Sequence, residues 1–495
     1  MEFYLIILTA VLFSLPAYLP VLFFLSWAAF IPLIYLTNNE DYKHSFVIAF
    51  LVGLISSILK FYWIYHPIEE QLKTPFAFIF LIIFIYFILS GLPLAVWVVV
   101  NKFLQPKNSF SPIIAALSWS SLEFLRFKFI NLNPFNYLAY NQTEFNSLIQ
   151  FASWGGIFLV SFLAVLIAGY FVKIYFKPSL KRSIPLIIIF ILILSIPYLF
   201  NNTAVESYQK VELLNINPAL EGDIFTDTRK NTESAAELIE KSKTNYIFTP
   251  ENFLYFDLIR NNYYRNKLFS EIEDEIEGKF IQLGSRAGYE ENYEAKKENS
   301  IFLLDDDLEI IERYDQNNNL LTLNNIIMHS EVISLVEEYL VSDIIAEKKE
   351  DFKQININQL NYINLLSVEI LKPIKFDNSD KNINMIINSA DDSNIKSKLF
   401  NNYTWSASVL RAAENKVSVL RTAKEGYSGY ITPKGREEIK IFNNKGIITA
   451  EVELNSNSSY YQKDSEFTAY ILLIITFVIL TIKTSILIYG KYSKN

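Results

Sequence analysis

Two short stretches carry side chains suited to acyl-transfer chemistry. In "IFTPENF" a hydrophobic run reaches a proline and Glu251 follows it; in "INLLSVEI" a second run meets Ser367-Val368-Glu369. A carboxylate at the end of a strand can take a proton from a nearby hydroxyl or thiol, and the deprotonated atom can then attack a carbonyl carbon. The chain contains no cysteine, so thiol catalysis, disulfides and Cys-ligated zinc are all excluded. A serine hydroxyl ionises far less readily than a thiol of pKa about 8.5, so a carboxylate base serves it poorly. Three readings of "INLLSVEI" follow: an enzyme that has lost its nucleophile, an enzyme that uses Ser367, or an ordinary core strand. His44, His66 and His329 are scattered and give no metal-ligand spacing.

The elements that must position these residues divide by composition. Hydrophobic residues make up 51% of the 495, aromatics 15% and charges only 19%, too oily for an ordinary soluble protein. No charged residue occurs from Pro75 to Val100 or from Phe145 to Val172, whereas acids and bases crowd the stretch between about Val205 and Glu466. A membrane part and a polar domain are therefore expected: residues 1–204 as a bundle of seven spans, 205–466 as an extracytoplasmic domain, and 467–495 as an eighth span with a cytoplasmic tail. The candidate spans are Phe3–Tyr18, Val21–Leu36, Phe46–Tyr65, Pro75–Val100, Phe110–Arg126, Phe145–Val172, Ser183–Phe200 and Phe467–Tyr489. Lys60 and Lys483, near span ends, are expected to snorkel to the headgroups. The first segment lacks a basic start and a small-residue cleavage site, so it reads as a span rather than a cleaved signal. Basic short segments ("NKFLQPKNS", "KIYFKPSLKRS", "GKYSKN") place both termini in the cytoplasm and the polar domain outside. A net charge of −8 leaves no basic footprint, which excludes nucleic acid as a partner.

Within the polar domain, strands alternate with helices before giving way to hairpins. Strands are predicted over 210–216, 245–250, 279–286, 363–370 and 383–390, with a hairpin over 299–316 that turns in its acidic run. Helices are predicted over 231–243 and 331–350 and ending in "ASVLRAAEN", and two strands joined at a glycine turn span 417–435. This order argues an α/β domain with stacked sheets. Arg411, Glu414 and Arg421 read as a structural ion-pair set, and Gly426 and Gly435 as turn residues.

The strand-end Glu251, the Ser367-x-Glu369 sequence and "LRAAENKVSVLRTAKEGYSGYITPKG" together resemble the nitrilase, or carbon–nitrogen hydrolase, superfamily. A nitrilase-like domain inserted before a last span resembles the bacterial apolipoprotein N-acyltransferase family. "SWSSLEFLRFKF", "NPFNYLAYNQ" and "IQFASWGGIFLVSFL" follow that family's order of Glu–Arg helix, Pro-aromatic loop and Gly-rich span. The resemblance covers nearly the whole chain. It implies an α-β-β-α sandwich beside the helical membrane bundle, in a bacterial inner membrane with the sandwich in the periplasm. The implied reaction is a two-step transfer of an acyl chain from a phospholipid, through a cysteine thioester, to the α-amino group of a lipoprotein's N-terminal cysteine. It implies no metal or diffusible cofactor.

By the same resemblance Glu251 matches the base position and Glu369 a supporting glutamate. Ser367 occupies the cysteine position, and Gln316, in Tyr314-Asp315-Gln316, occupies the lysine position. A further family glutamate falls in "LTLNNI" and is missing, the Asn-Asp-x-Trp loop has become "DDSNI", and a Gln-His pair has become Tyr403-Thr404. The leading expectation is a membrane protein that engages lipid or lipoprotein N-termini with its thiol chemistry lost, assisting an active paralogue where one exists. The alternatives are an acyltransferase or esterase using Ser367 with Glu251, and a structural envelope partner with a closed cleft.

Overall fold

In the computed structural model of the protein, residues 1–72, 76–105, 110–130, 133–200, 205–216, 222–291, 294–316, 354–374, 383–455 and 459–492 are described. The helix expected over 331–350 and the "LTLNNI" segment lie outside them. The described residues form two compact units, one up to Asn202 together with the chain from Ser459 onward, the other between Thr203 and Ser458.

The first unit is helical. Among its described residues, six helices are long and apolar enough to cross a membrane: Pro20–Thr37, Tyr42–Glu69, Phe76–Leu104, Ala152–Phe176, Leu180–Pro197 and Phe467–Tyr489. The expected count of eight is not confirmed among the described residues. Glu2–Tyr18 is a shorter apolar helix of 17 residues. Pro112–Leu125 has only 14 and passes into a wider-pitched turn over Arg126–Ile130. Gly53 and Gly91 face each other across Tyr42–Phe61 and Phe76–Leu104, where a β-carbon on either would strike the partner's backbone. Such small-on-small contacts let helices approach closely where no hydrophobic drive operates.

The Glu–Arg helix grips the Pro-aromatic loop that follows it. Glu123 accepts from the backbone N–H of Leu138 at 3.0 Å, and Arg126 donates to the carbonyl of Asn136 at 2.7 Å. Lys60, expected to snorkel outward, instead donates to the Asn136 side chain at 2.6 Å. A polar group inside a bundle needs a partner in place of the missing water, and Asn136 supplies one.

The second unit contains two six-stranded sheets. The strands are β1 (Ser207–Asn215), β2 (Tyr246–Phe248), β3 (Phe280–Glu291), β4 (Glu294–Leu304), β5 (Ile310–Asp315), β6 (Gln354–Ile357), β7 (Leu360–Leu366), β8 (Met385–Asp391), β9 (Ser418–Lys424), β10 (Tyr427–Ile431), β11 (Glu437–Phe442) and β12 (Gly446–Leu454). One sheet runs β12-β1-β2-β3-β4-β5 and the other β11-β10-β9-β8-β7-β6. In each, three parallel strands (β1, β2, β3 and β7, β8, β9) are flanked by antiparallel ones.

Period-two alternation divides each inner strand between two cores. Val211 and Leu213 of β1, with Tyr246 and Phe248 of β2, meet Tyr362, Met385, Ile387 and Leu420 of the other sheet. Leu214 and Ile247 point the opposite way, under α1 (Ile224–Glu240) and α2 (Asn262–Ile272), which contribute Ala235, Ile239, Leu268 and Ile272. The second sheet is covered by α3 (Lys398–Asn415), packed on β9, β10 and the turn after β7. The unit is thus an α-β-β-α sandwich. Strands buried on both faces read as continuous apolar runs, which is why β7 and β8 stand out in the sequence.

Candidate functional site

In open α/β sheets, ligand-handling groups collect beyond the carboxyl ends of parallel strands. Here those ends carry Glu251 (after β2), Ser367 (after β7), Asp391 (closing β8) and Lys424 (closing β9). The two sheets are tied at this edge, since Ser389 of β8 donates to the Thr249 carbonyl at 2.8 Å, two residues before Glu251. Ser389 also pairs in register with Leu366, the residue before Ser367.

The strand expected over 363–370 stops at Leu366. Ser367 opens a short 3-10 turn, Ser367–Leu371, and has φ +48°. A left-handed non-glycine residue between a strand and a helical turn lifts its side chain out of the sheet, as at a nucleophile elbow. Ser367 is half-buried. Asn388 holds the elbow from below, its amide donating to the carbonyls of Leu365 at 3.0 Å and Ser367 at 3.1 Å. Arg421 donates to the Asn388 side-chain oxygen and pairs with Asp392 at 2.8 Å. The ion pairs therefore differ from the expected set. Arg411 and Glu414 bond each other at 2.6 Å, fully buried, while Arg421 is paired with Asp392 of the "DDSNI" loop.

Glu369 is fully buried and accepts from the Leu366 N–H at 2.7 Å and the Tyr314 hydroxyl at 2.9 Å. It thereby closes the elbow and fastens it to β5. Glu251 is only 4% exposed. Its Oε1 accepts from the Asn299 amide at 2.5 Å, and the same amide donates to Gln316 Oε1 at 3.1 Å. This geometry sets the orientation of Gln316. Asn299 turns its NH2 toward Glu251 Oε1, and the same NH2 meets the Gln316 carbonyl oxygen, leaving the Gln316 NH2 directed elsewhere.

The electrostatics follow from this burial. Glu251 is pushed well above the usual carboxylate range, first by desolvation and then by the negative charges of Asp391, Asp392 and Glu369; the Asp391 N–H opposes the shift. Lys424 donates to the Asn252 carbonyl and lies 4.5 Å from the centre of the Tyr255 ring. Burial brings the Lys424 ammonium down to about 8, against the pull of Asp391 and Glu251.

Glu251 and Gln316 are thus brought together through Asn299, and Glu369 stands beneath the elbow of Ser367. Ser367 Oγ makes no hydrogen bond to Glu251 or Gln316 among the described residues. Asn299, Asn388 and Lys424 escape a reading of the sequence because each acts across strands, through a register that a linear pattern does not reveal. The one signal available is position. Lys424 is the last residue of its strand, and strand ends are where site groups collect. Among the described residues no group of three or more His, Cys, Asp or Glu could hold a metal ion.

Residues 9–170 match the family profile described as the apolipoprotein N-acyltransferase N-terminal domain. Over 423 residues the chain is 24% identical to an apolipoprotein N-acyltransferase of Wigglesworthia glossinidia brevipalpis, covering 83% of each protein. Among solved structures it is similar to a CN-hydrolase superfamily protein from Xanthomonas campestris, with 13% identity over 49% of this chain and 90% of that one and a TM-score of 0.36. It is also similar to the carbon-nitrogen hydrolase of Helicobacter pylori G27, with 13% identity over 50% and 89% and the same TM-score, 0.36. The chain is thus similar to the apolipoprotein N-acyltransferase family, in its membrane part by the domain profile and along most of its length by a relative.

Proposed function

We propose that this protein engages lipid or lipoprotein acyl groups at a thiol-free site and does not carry out the family's two-step transfer. The observation that supports this reading is the elbow. Ser367 keeps a left-handed backbone and partial exposure above a fully buried Glu369. A serine in that conformation costs about 1–3 kcal/mol, and such strain persists where the surrounding structure holds it, as Glu369 and Asn388 do here. The groups around the elbow are ill-suited to turnover. The nucleophile position holds a hydroxyl and the lysine position a neutral amide. The ligands are then a phospholipid acyl chain or the acylated N-terminus of a lipoprotein, with an active paralogue as the protein to be assisted.

A second reading, an acyltransferase or esterase using Ser367, draws support from Glu251. A carboxyl held well above the usual carboxylate range is a stronger base than an ordinary one. One experiment separates the two. Incubated with phospholipid labelled in its acyl chain, the purified full chain is expected to retain lipid without forming a hydroxylamine-sensitive adduct, and Ser367→Ala to retain as much. An acyl ester that Ser367→Ala abolishes would replace the leading reading with the serine enzyme. Failure to retain any lipid would favour a closed cleft.

The orientation belongs to the same proposal: a bacterial inner-membrane protein with both termini cytoplasmic and the sandwich in the periplasm. It rests on the basic segment Lys173, Lys177, Lys181 and Arg182 and its counterparts at Lys102 and the tail. Reporter fusions at positions 108, 180 and 494 are expected to report cytoplasm. A periplasmic signal at 180 would invert the arrangement.

A further inference from the structure

The turn that carries Glu251 is clamped by groups outside the family motif. Asn252, next in sequence, has φ +53°. Its backbone carbonyl accepts from Lys424. Its side chain donates to Asp391 at 3.3 Å and accepts from Arg286 Nε, also at 3.3 Å. Lys424 is buried, closes β9 opposite Asp391, and rests on the face of Tyr255. We infer that Lys424 is the cation of the Glu251 site, fixing the Glu251–Asn252 turn from the second sheet and offsetting the carboxylate's charge in place of a lysine at position 316.

Three observations carry this. An amine in so buried a position needs a partner, and among the described residues its direct bond is to the backbone of the residue after Glu251. The carboxylates that act on Glu251 are Asp391, Asp392 and Glu369. Asp392 is neutralised by Arg421; Glu369 accepts from Tyr314 and Leu366 and Asp391 from Asn252 and Ser393, all neutral donors, and the carboxylates that pull on the Lys424 ammonium are Asp391 and Glu251. The remaining cation of the group, Arg286, is directed at the Asn252 side chain. Lys424 is therefore a positioning residue whose effect is electrostatic as well as steric. Its role is independent of whether acyl transfer survives.

The test reads protonation and needs no turnover. In the full chain in detergent, the infrared band of the protonated Glu251 carboxyl is assigned by its loss in Glu251→Gln and followed against pH. Removing a nearby cation disfavours the carboxylate, so Lys424→Met should raise the Glu251 midpoint by about one pH unit or more, and Lys424→Arg should return it toward wild type. Coupling is reciprocal. Glu251→Gln should therefore lower the midpoint of the Lys424 side-chain carbon resonance, assigned with Lys424→Arg, by a comparable amount. An unchanged Glu251 midpoint in folded Lys424→Met overturns the assignment. Should that variant not fold, an unchanged Lys424 midpoint in Glu251→Gln overturns it alone.

Discussion

The double variant Ser367→Cys, Gln316→Lys is expected to trap acyl-enzyme from labelled phospholipid, where Ser367→Cys alone falls short by about 10²–10³-fold. The two changes act on one transition state. A thiol supplies a nucleophile that a carboxylate can deprotonate, and a cation at 316 meets the negative charge that then develops on the attacked carbonyl oxygen. The Gln316 amide already directs its NH2 away from Asn299, so the native residue donates a neutral hydrogen bond to that region at best. Because the groups stabilise a single step, the combined effect should exceed the sum of the separate free energies. The readout is a hydroxylamine-sensitive adduct on the purified protein. The altered "DDSNI" loop and the missing glutamate of "LTLNNI" limit the absolute yield, so the comparison that matters is the ratio of double to single variant. Equal adduct in Ser367→Cys and in the double variant would show that the charge at 316 is not what the site lacks.

How legible this site was depended on whether its parts are local in sequence. Pro250 ends a buried strand and presents Glu251, and the Ser-x-Glu sequence marks the end of another; both are chain-local features that a pattern can reveal. That β7 ends before Ser367 was not legible, because "INLLSVEI" stays apolar across the elbow. The turn is enforced by Glu369 capping the Leu366 N–H, a bond between side chain and backbone three residues apart. Edge strands were missed for a related reason. β11 is exposed along nearly its whole length and carries charges, so no buried face imposes a pattern on it. α2 was missed because "NYYRNKLFSEI" mixes aromatic and charged residues and buries only Leu268 and Ile272. In the membrane part, hydropathy located apolar segments well but could not measure helix length. Pro112–Leu125 is short at 14 residues, and the polar Glu123–Arg126 pair at its end binds the loop that follows.

Arg421→Met is expected to destabilise the sandwich by about 3–5 kcal/mol, the usual consequence of removing one partner from a buried ion pair. Arg421 and Asp392 are both essentially inaccessible to solvent. Without the guanidinium, Asp392 would be left as a carboxylate already pushed up by desolvation, with Arg421 the main influence holding it down. The loss should not stay local, because Arg421 also orients Asn388, and Asn388 holds the carbonyls on either side of the elbow. Two variants separate these contributions. Asp392→Leu combined with Arg421→Met removes both charges and should recover much of the stability, since a well-packed apolar pair often replaces a buried ion pair without loss. It should not restore the elbow, as Asn388 would still lack its anchor. Asn388→Leu should loosen Ser367 while leaving the ion pair intact. Thermal unfolding in detergent reads the first effect. Proteolytic cleavage near residues 366–371 reads the second. If the double variant recovers both stability and protection of the elbow, the Arg421–Asn388 contact is incidental, and the turn at Ser367 is held by Glu369 alone.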